Sequence, residues 1–321
     1  MKRFLKIIII YVLIVASISE LANLGYKYTY MNNNPGTMGE ERESSGIIKN
    51  VPNRIQVCDF GNSHAYYGFN YSDISDVECF NFALSAQTMS YNYRVLRNYK
   101  DNIAEDATVI IVLSYSSFFG TPETEDKEFA SKNKRYYYFL DADNIKEYDV
   151  KTDIYLNYFQ GIVARPGEWK NLFFNKELRE TWEKETTEEK AIENGPSRFE
   201  RHVCERCDED GNRILNQEEI DALYDMIDLC EDIGATPILV TTPYISYYRD
   251  AGNELDPEFY GDFYAIIDEV CENTGVKYYD YSSDSRFSHS YEKFINSDHL
   301  NRKGAEEFTN ILFDEVIYSD K

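Results

Sequence analysis

Two short segments near opposite ends of the chain hold the side chains best suited to chemistry. The first is Asp59-Phe60-Gly61-Asn62-Ser63-His64, where a short apolar run stops at a glycine and a serine follows two residues later. A serine hydroxyl becomes a useful nucleophile only when a nearby base takes its proton, so the second requirement is a histidine. The chain has four: His64, His202, His289 and His299. His299 lies in the polar stretch Phe294-Ile295-Asn296-Ser297-Asp298-His299-Leu300-Asn301-Arg302-Lys303-Gly304, just before an amphipathic segment, with a carboxylate and an amide beside it. Taken singly, a turn serine and a loop histidine are ordinary structural residues. Together, Ser63 as nucleophile and His299 as base are the pair that acyl transfer needs.

For that pair to meet, the intervening chain has to fold the two segments onto one edge. From Arg54 onward the pattern alternates between strands and helices. Ile55 to Phe60 and Asp76 to Phe82 are strand candidates, and Thr88 to Asn102 carries Met89, Tyr93, Leu96 and Tyr99 at helical spacing. Thr108 to Leu113 (TVIIVL) and Thr236 to Thr242 (TPILVTT) are continuous apolar runs, the pattern of strands buried on both faces. Glu218 to Asp232 is predicted as a helix capped by Asn216 and ended by Gly234. Glu258 to Asn273 and Lys303 to Tyr318 are two more helices, with a strand from Val276 to Tyr281 between them. This alternation predicts an α/β fold, a three-layer doubly wound parallel sheet. In such sheets ligands collect beyond the carboxyl ends of the strands, where Ser63 would stand. Residues 51–321 form the expected domain. Its rhythm breaks over about 121–204, a stretch with Tyr-rich parts (RYYYFL, IYLNYF), Trp169 and the charge-dense LRETWEKETTEEKAIE, which reads as an inserted cap. No internal repeat is present.

The Gly-x-Ser segment after the first strand and the His before the last helix resemble the SGNH, or GDSL-like, hydrolase family. The wording GNSHAYYGF, NFALSAQTMSYNY and SDHLNRKGAEEFT is most similar to its membrane-anchored, extracytoplasmic branch, which includes proteins of teichoic-acid D-alanyl transfer and alginate-type O-acetyltransferases. The resemblance covers roughly residues 54–119 and 214–318. It implies a flavodoxin-like sheet, Ser63 as nucleophile and His299 as general base. The family's acid lies three residues before the histidine, where this chain has Asn296. The acid is then Asp298, or the site is a Ser-His dyad with Asn296 orienting the imidazole. The family's oxyanion block corresponds to Asn81-Phe82-Ala83-Leu84-Ser85-Ala86-Gln87, which lacks glycine; the backbone N–H groups of Ser63 and Ser85 and the Gln87 amide are the candidate donors. Its Gly-x-Asn-Asp block is replaced by Ser114-Tyr115-Ser116-Ser117. Ala65 stands where the α/β-hydrolase elbow has its second glycine, so that other fold is not expected.

The implied activity is acyl-ester chemistry, an esterase or O-acyltransferase acting on an acylated cell-envelope glycan or polymer, with no metal or organic cofactor required. The alternative is a non-catalytic envelope protein of the same fold that binds a glycan or a membrane acyltransferase partner. Asn296 and the missing Asn-Asp block favour it; Ser63 and His299 oppose it.

Four other signals lie outside that pair. Cys204-x-x-Cys207 lacks the further ligands a zinc site needs and reads as a local disulfide or two thiols. Read from Asp208, an EF-hand loop would use Asp208, Asp210, Asn212 and Glu219, but Arg213 stands where the sharp-turn glycine belongs; an acidic turn is the expectation. Arg201, in Glu200-Arg201-His202, is a candidate for binding an anionic or carbonyl group of the substrate. The Tyr-rich stretches offer ring faces for sugar stacking or for ordinary packing.

Composition narrows the partners. The 321 residues carry 33 Lys+Arg against 57 Asp+Glu, a net charge of −24, which argues against nucleic acid because phosphate neutralisation needs surplus cations. It favours a neutral or zwitterionic glycan unless a local basic patch such as Arg201 overrides the global sign. Six cysteines at irregular spacing do not make a disulfide framework. Lys2 and Arg3 precede an apolar run to about Leu24, so residues 1–26 read as a membrane anchor or a cleaved signal. The basic flank places the N-terminus inside and the domain outside the membrane. Residues 27–50 read as a linker.

Overall fold

Five strands pair side by side into one all-parallel sheet in the order β2-β1-β3-β4-β5. The strands are β1 (Ile55–Phe60), β2 (Cys79–Asn81), β3 (Ile103–Val112), β4 (Thr236–Thr241) and β5 (Lys277–Asp280). The computed structural model of the chain describes residues 2–27, 48, 51–125, 127, 129–163, 182–204, 208, 210 and 212–319. Nearly all of the expected linker lies outside them, as do Trp169, Cys207 and the first four residues of LRETWEKETTEEKAIE.

The helices are α1 (Lys2–Lys27), α2 (Ser63–Gly68), α3 (Met89–Tyr99), α4 (Val150–Val163), α5 (Glu188–His202), α6 (Gln217–Asp232), α7 (Ser246–Leu255), α8 (Phe259–Thr274) and α9 (Arg302–Leu312), with a π-helical turn (Phe313–Ile317) completing the last. The central strands β3 and β4 are apolar on both sides because both sides are covered. Along β3, Val109 and Ile111 join one buried cluster with α3, α6 and α8, while Ile110 and Val112 join the other with α2 and α9. Burying such side chains contributes on the order of 1.5–3 kcal/mol each before chain entropy is subtracted.

The expected strands and helices recur with shifted ends. β2 shrinks to three residues, and β3 starts earlier, at Ile103, opposite Ile55, with a register irregularity before Val57. Asn216 precedes α6 without capping it through its side chain; its amide instead donates to the Thr121 carbonyl at 3.3 Å. Gly234 adopts a left-handed conformation (φ 77°) and turns the chain from α6 into β4.

The strand order changes direction between β1 and β3, which opens a crevice beyond their carboxyl ends. The exit from β1 is tightly packed at Gly61, where an added Cβ would meet Ala65 Cβ at 2.7 Å and Val112 Cβ at 3.0 Å. The missing side chain lets the chain pass against β3 and deliver Ser63 to the rim.

The 121–204 stretch contributes short helical turns, α4 and α5. Tyr136 and Tyr137 are buried, and Tyr136 stacks on Tyr91 of α3 at 3.5 Å between ring centroids, so these tyrosines pack rather than present ring faces. Helix α5 lies against α7. A Cβ at Gly195 would meet the Tyr247 carbonyl oxygen at 2.7 Å, and one at Gly252 would meet the Phe199 ring at 2.6 Å. These two glycines fix how close and at what rotation α5 sits.

Helix α1 contributes no described residue to either core and lies alongside α4. Its stretch Lys2–Ala22 has a mean hydropathy of 2.3, long and apolar enough to cross a membrane. Phe4, Leu5, Ile7, Tyr11 and Leu21 are each more than half exposed, spread around its circumference.

Candidate active site

Ser63 opens α2 directly after β1. Asn62 caps that helix, its Oδ1 accepting the His64 N–H at 2.9 Å. His299 comes from the loop before α9, and that loop is tied at several points. Ile295 N–H donates to the His299 carbonyl at 2.9 Å, Ile245 N–H to the Ser297 carbonyl at 3.1 Å, and Asn301 caps α9 through the Gly304 N–H at 3.0 Å. With both segments pinned, His299 Nε2 lies 2.8 Å from Ser63 Oγ, across 236 residues of sequence.

The other nitrogen of His299 has different company. Asn296 Nδ2 lies 3.2 Å from Nδ1, and Arg198 Nη2 also lies at 3.2 Å. Asp298 Oδ1 is at 3.9 Å, beyond hydrogen-bond reach. Of the two expected partners for the imidazole, Asn296 therefore touches it and Asp298 does not.

Asp298 is instead the centre of a buried cluster of nitrogen groups. Arg198 donates to it twice, through Nε to Oδ1 and through Nη2 to Oδ2 at 3.0 Å. His64 Nε2 and His202 Nδ1 each lie 3.4 Å from Oδ2. Burial alone would raise this carboxyl, but His299, His64 and Arg198 hold it well below the usual carboxylate range. The histidines respond the other way. Loss of solvent, reinforced by neighbouring cationic groups, pushes His299 down to about 3 and His202 down to about 4 despite Asp298. Both rings are neutral near pH 7, so their contacts with Asp298 are not ion pairs.

These shifts set a pH dependence of stability. In the unfolded chain both histidines take protons near pH 6.5, whereas folded they resist until about 4 and about 3. The unfolded state then binds more protons on acidification, and stability falls with pH. Glu219 opposes this: burial raises it to about 7, so folded it keeps a proton that the unfolded chain loses above its ordinary value of 4.5. Two groups outweigh one. Urea midpoints are expected to fall from about pH 7 to about pH 4.5, and His202→Gln is expected to flatten that slope. A midpoint that rises on acidification would contradict these assignments.

The candidate oxyanion donors are placed unequally. Ser63 begins α2, where first-turn N–H groups have no intrahelical acceptor. Ser85 is partly exposed, and its carbonyl accepts from Arg135 at 2.6 Å. The Gln87 amide is turned inward, donating to the Phe82 carbonyl at 3.3 Å and to Asn92 Oδ1 at 2.6 Å, so it does not supply the expected donor in this arrangement. The amide near the nucleophile belongs to Asn62, whose Nδ2 donates to Ser114 Oγ at 2.7 Å.

Arg201 is exposed and lines a cavity of about 440 Å³ together with Asn62, Ser116, Ser117 and Lys132. Arg201 and Lys132 thus line a cavity that reaches Asn62, the residue before Ser63, in a chain of strongly negative net charge.

Arg198, His202 and His64 did not stand out as site residues in the sequence. Arg198 and His202 are one helical turn apart, which puts them on one face of α5, but the sequence does not say which way that face turns. Donor atoms of His64, Asp298 and His299 lie within 4.8 Å of one another, close enough to share a metal ion. The cation that Asp298 holds in this arrangement is the Arg198 guanidinium. The acidic turn has no closing carboxylate, because Glu219 accepts the Met89 and Ser90 N–H groups. Asp208 in turn accepts the N–H groups of Asp210 and Asn212. No protein-family model and no curated protein matches this chain.

Proposed function

We propose that the chain performs acyl-ester chemistry on the outer side of a membrane, with Ser63 as nucleophile and His299 as general base. The observation that carries the reading is the 2.8 Å contact between Ser63 Oγ and His299 Nε2 at the carboxyl edge of the sheet. In this scheme Ser63 Oγ attacks the acyl carbonyl carbon and its proton passes to Nε2. Backbone N–H groups of Ser63 and Ser85 take up the oxyanion charge. Collapse expels the alcohol, which takes the proton from Nε2 and leaves the acyl group on Ser63. Water or a sugar hydroxyl then receives the acyl group, giving an esterase or an O-acyltransferase.

The 440 Å³ cavity beside Asn62 is the space for the acylated glycan or envelope polymer, with Arg201 at its wall. Helix α1 serves as the anchor, with Lys2 and Arg3 on the cytoplasmic side, and a membrane acyltransferase is the natural partner for a transferase. A second reading, a non-catalytic glycan-binding envelope protein of the SGNH type, draws on the two donors that face His299 Nδ1. The two readings separate in one assay with the full chain in detergent micelles. Hydrolysis of a chromogenic acetyl ester, abolished in Ser63→Ala, is expected from the first. Equal turnover in wild type and Ser63→Ala would refute it.

A further inference from the structure

We propose that Arg198 is a positioning residue that sets the tautomer of His299, holding its proton on Nε2 so that the ring cannot accept the Ser63 proton until the guanidinium moves. This rests on the Ser63–His299 reading and concerns how that pair is regulated.

The argument begins with Asn296. Its Oδ1 accepts the N–H groups of Asp298 at 3.1 Å and of His299 at 2.9 Å, which fixes the orientation of the amide and turns Nδ2 toward the ring. A guanidinium can only donate, and Arg198 Nη2 stands 3.2 Å from the same Nδ1. Two donors on one ring nitrogen require a lone pair there, and a neutral imidazole then carries its hydrogen on the other nitrogen. Burial keeps the ring neutral. Nε2 therefore donates to Ser63 Oγ in this arrangement and has no lone pair for the hydroxyl proton.

The arrangement that works as a base needs an acceptor at Nδ1. Asp298 Oδ1 is the one at hand, 3.9 Å away, and Arg198 holds both oxygens of that carboxylate. If the guanidinium withdraws from Nδ1 and the Asn296 amide turns its Nδ2 aside, Nδ1 takes a proton from water and donates it to the carboxylate, Nε2 gives up its hydrogen to water, and its lone pair faces Ser63. Arg198 reaches the site from α5 rather than from the sheet, so its withdrawal breaks its bonds to Asp298 and its contact with Nδ1 while leaving the strands in place.

Two variants test this by different routes. In Arg198→Lys a single ammonium can keep the charge pair with Asp298 but lacks the second donor that reaches Nδ1. In Asn296→Asp the donor facing Nδ1 becomes an acceptor while the two backbone bonds are retained. Nitrogen-15 NMR of the full chain in micelles is expected to find His299 protonated on Nε2 in wild type and shifted toward Nδ1 in both variants. Labelling of Ser63 by an uncharged fluorophosphonate is expected to be at least about tenfold faster in Arg198→Lys, a part of the roughly 10⁴-fold that a wrong tautomer costs a serine triad. A purely structural Arg198 would lower the melting temperature and the labelling together and leave the tautomer unchanged. Wild-type His299 protonated on Nδ1, or variants whose tautomer does not move, would overturn the inference. So would Ser63 labelling in Arg198→Lys no faster than in wild type. If Ser63 labels in neither protein, the acyl-ester reading falls and the tautomer measurement alone decides the role of Arg198.

Discussion

Asp298→Ala is expected to destabilise the domain by about 3–5 kcal/mol, the cost of stripping the partner from a buried charge. Asp298 is 1% exposed and is the anion that His64, His202 and Arg198 converge on. Without it the Arg198 guanidinium loses both of its carboxylate acceptors in a site where its side chain is only 16% exposed. Asp298→Asn retains the shape and one acceptor oxygen, and is expected to cost less. Urea unfolding of both variants near neutral pH reads the difference. A loss under about 1 kcal/mol in Asp298→Ala would mean that water or a rearranged side chain satisfies Arg198, and that the cluster is not the anchor of this edge.

His299→Ala is expected to lower kcat on an acetyl ester by about 10²–10⁴-fold, the usual range for a positioned general base, with little change in KM. Burial holds the imidazole neutral at working pH, so its protonation does not limit the rate near neutrality. What limits it is the tautomer. The same substitution should therefore cost more in an Arg198→Lys background, where the base is released, than in the wild-type chain. A double-mutant cycle measures this coupling. Equal losses in the two backgrounds would show that Arg198 and His299 act independently.

The sheet was legible where strands are buried on both sides. TVIIVL and TPILVTT are continuous apolar runs because β3 and β4 lie centrally with a core on each face. Edges were less legible. Asp76 to Phe82 reads as one strand by pattern, yet only Cys79–Asn81 pairs with β1. SYYRDAGNEL, with a glycine and mixed polarity, does not read from its pattern as the helix α7 that it forms. Its Gly252 is needed for the close contact with Phe199, a demand set by a residue far away in sequence.

At the site, Ser63 and His299 were legible because each borders a recognisable element, Ser63 after the first strand and His299 before the last helix. The cluster around Asp298 was not. Arg198 and His202 sit in the long stretch between β3 and β4, and the packing of Gly195 against the Tyr247 carbonyl turns their face of α5 toward the site. Gln87 illustrates the converse: an amide at a suitable place in the sequence is spent on Phe82 and Asn92.

The most direct test of the Ser63–His299 pair is to treat the full-length chain and its Arg198→Lys variant with an uncharged fluorophosphonate and locate the adduct by peptide mass spectrometry. A single adduct on Ser63, slow in wild type, faster in Arg198→Lys and lost in His299→Ala, is the predicted result. No adduct on Ser63 in either protein, or modification that persists at the same rate without His299, would contradict it.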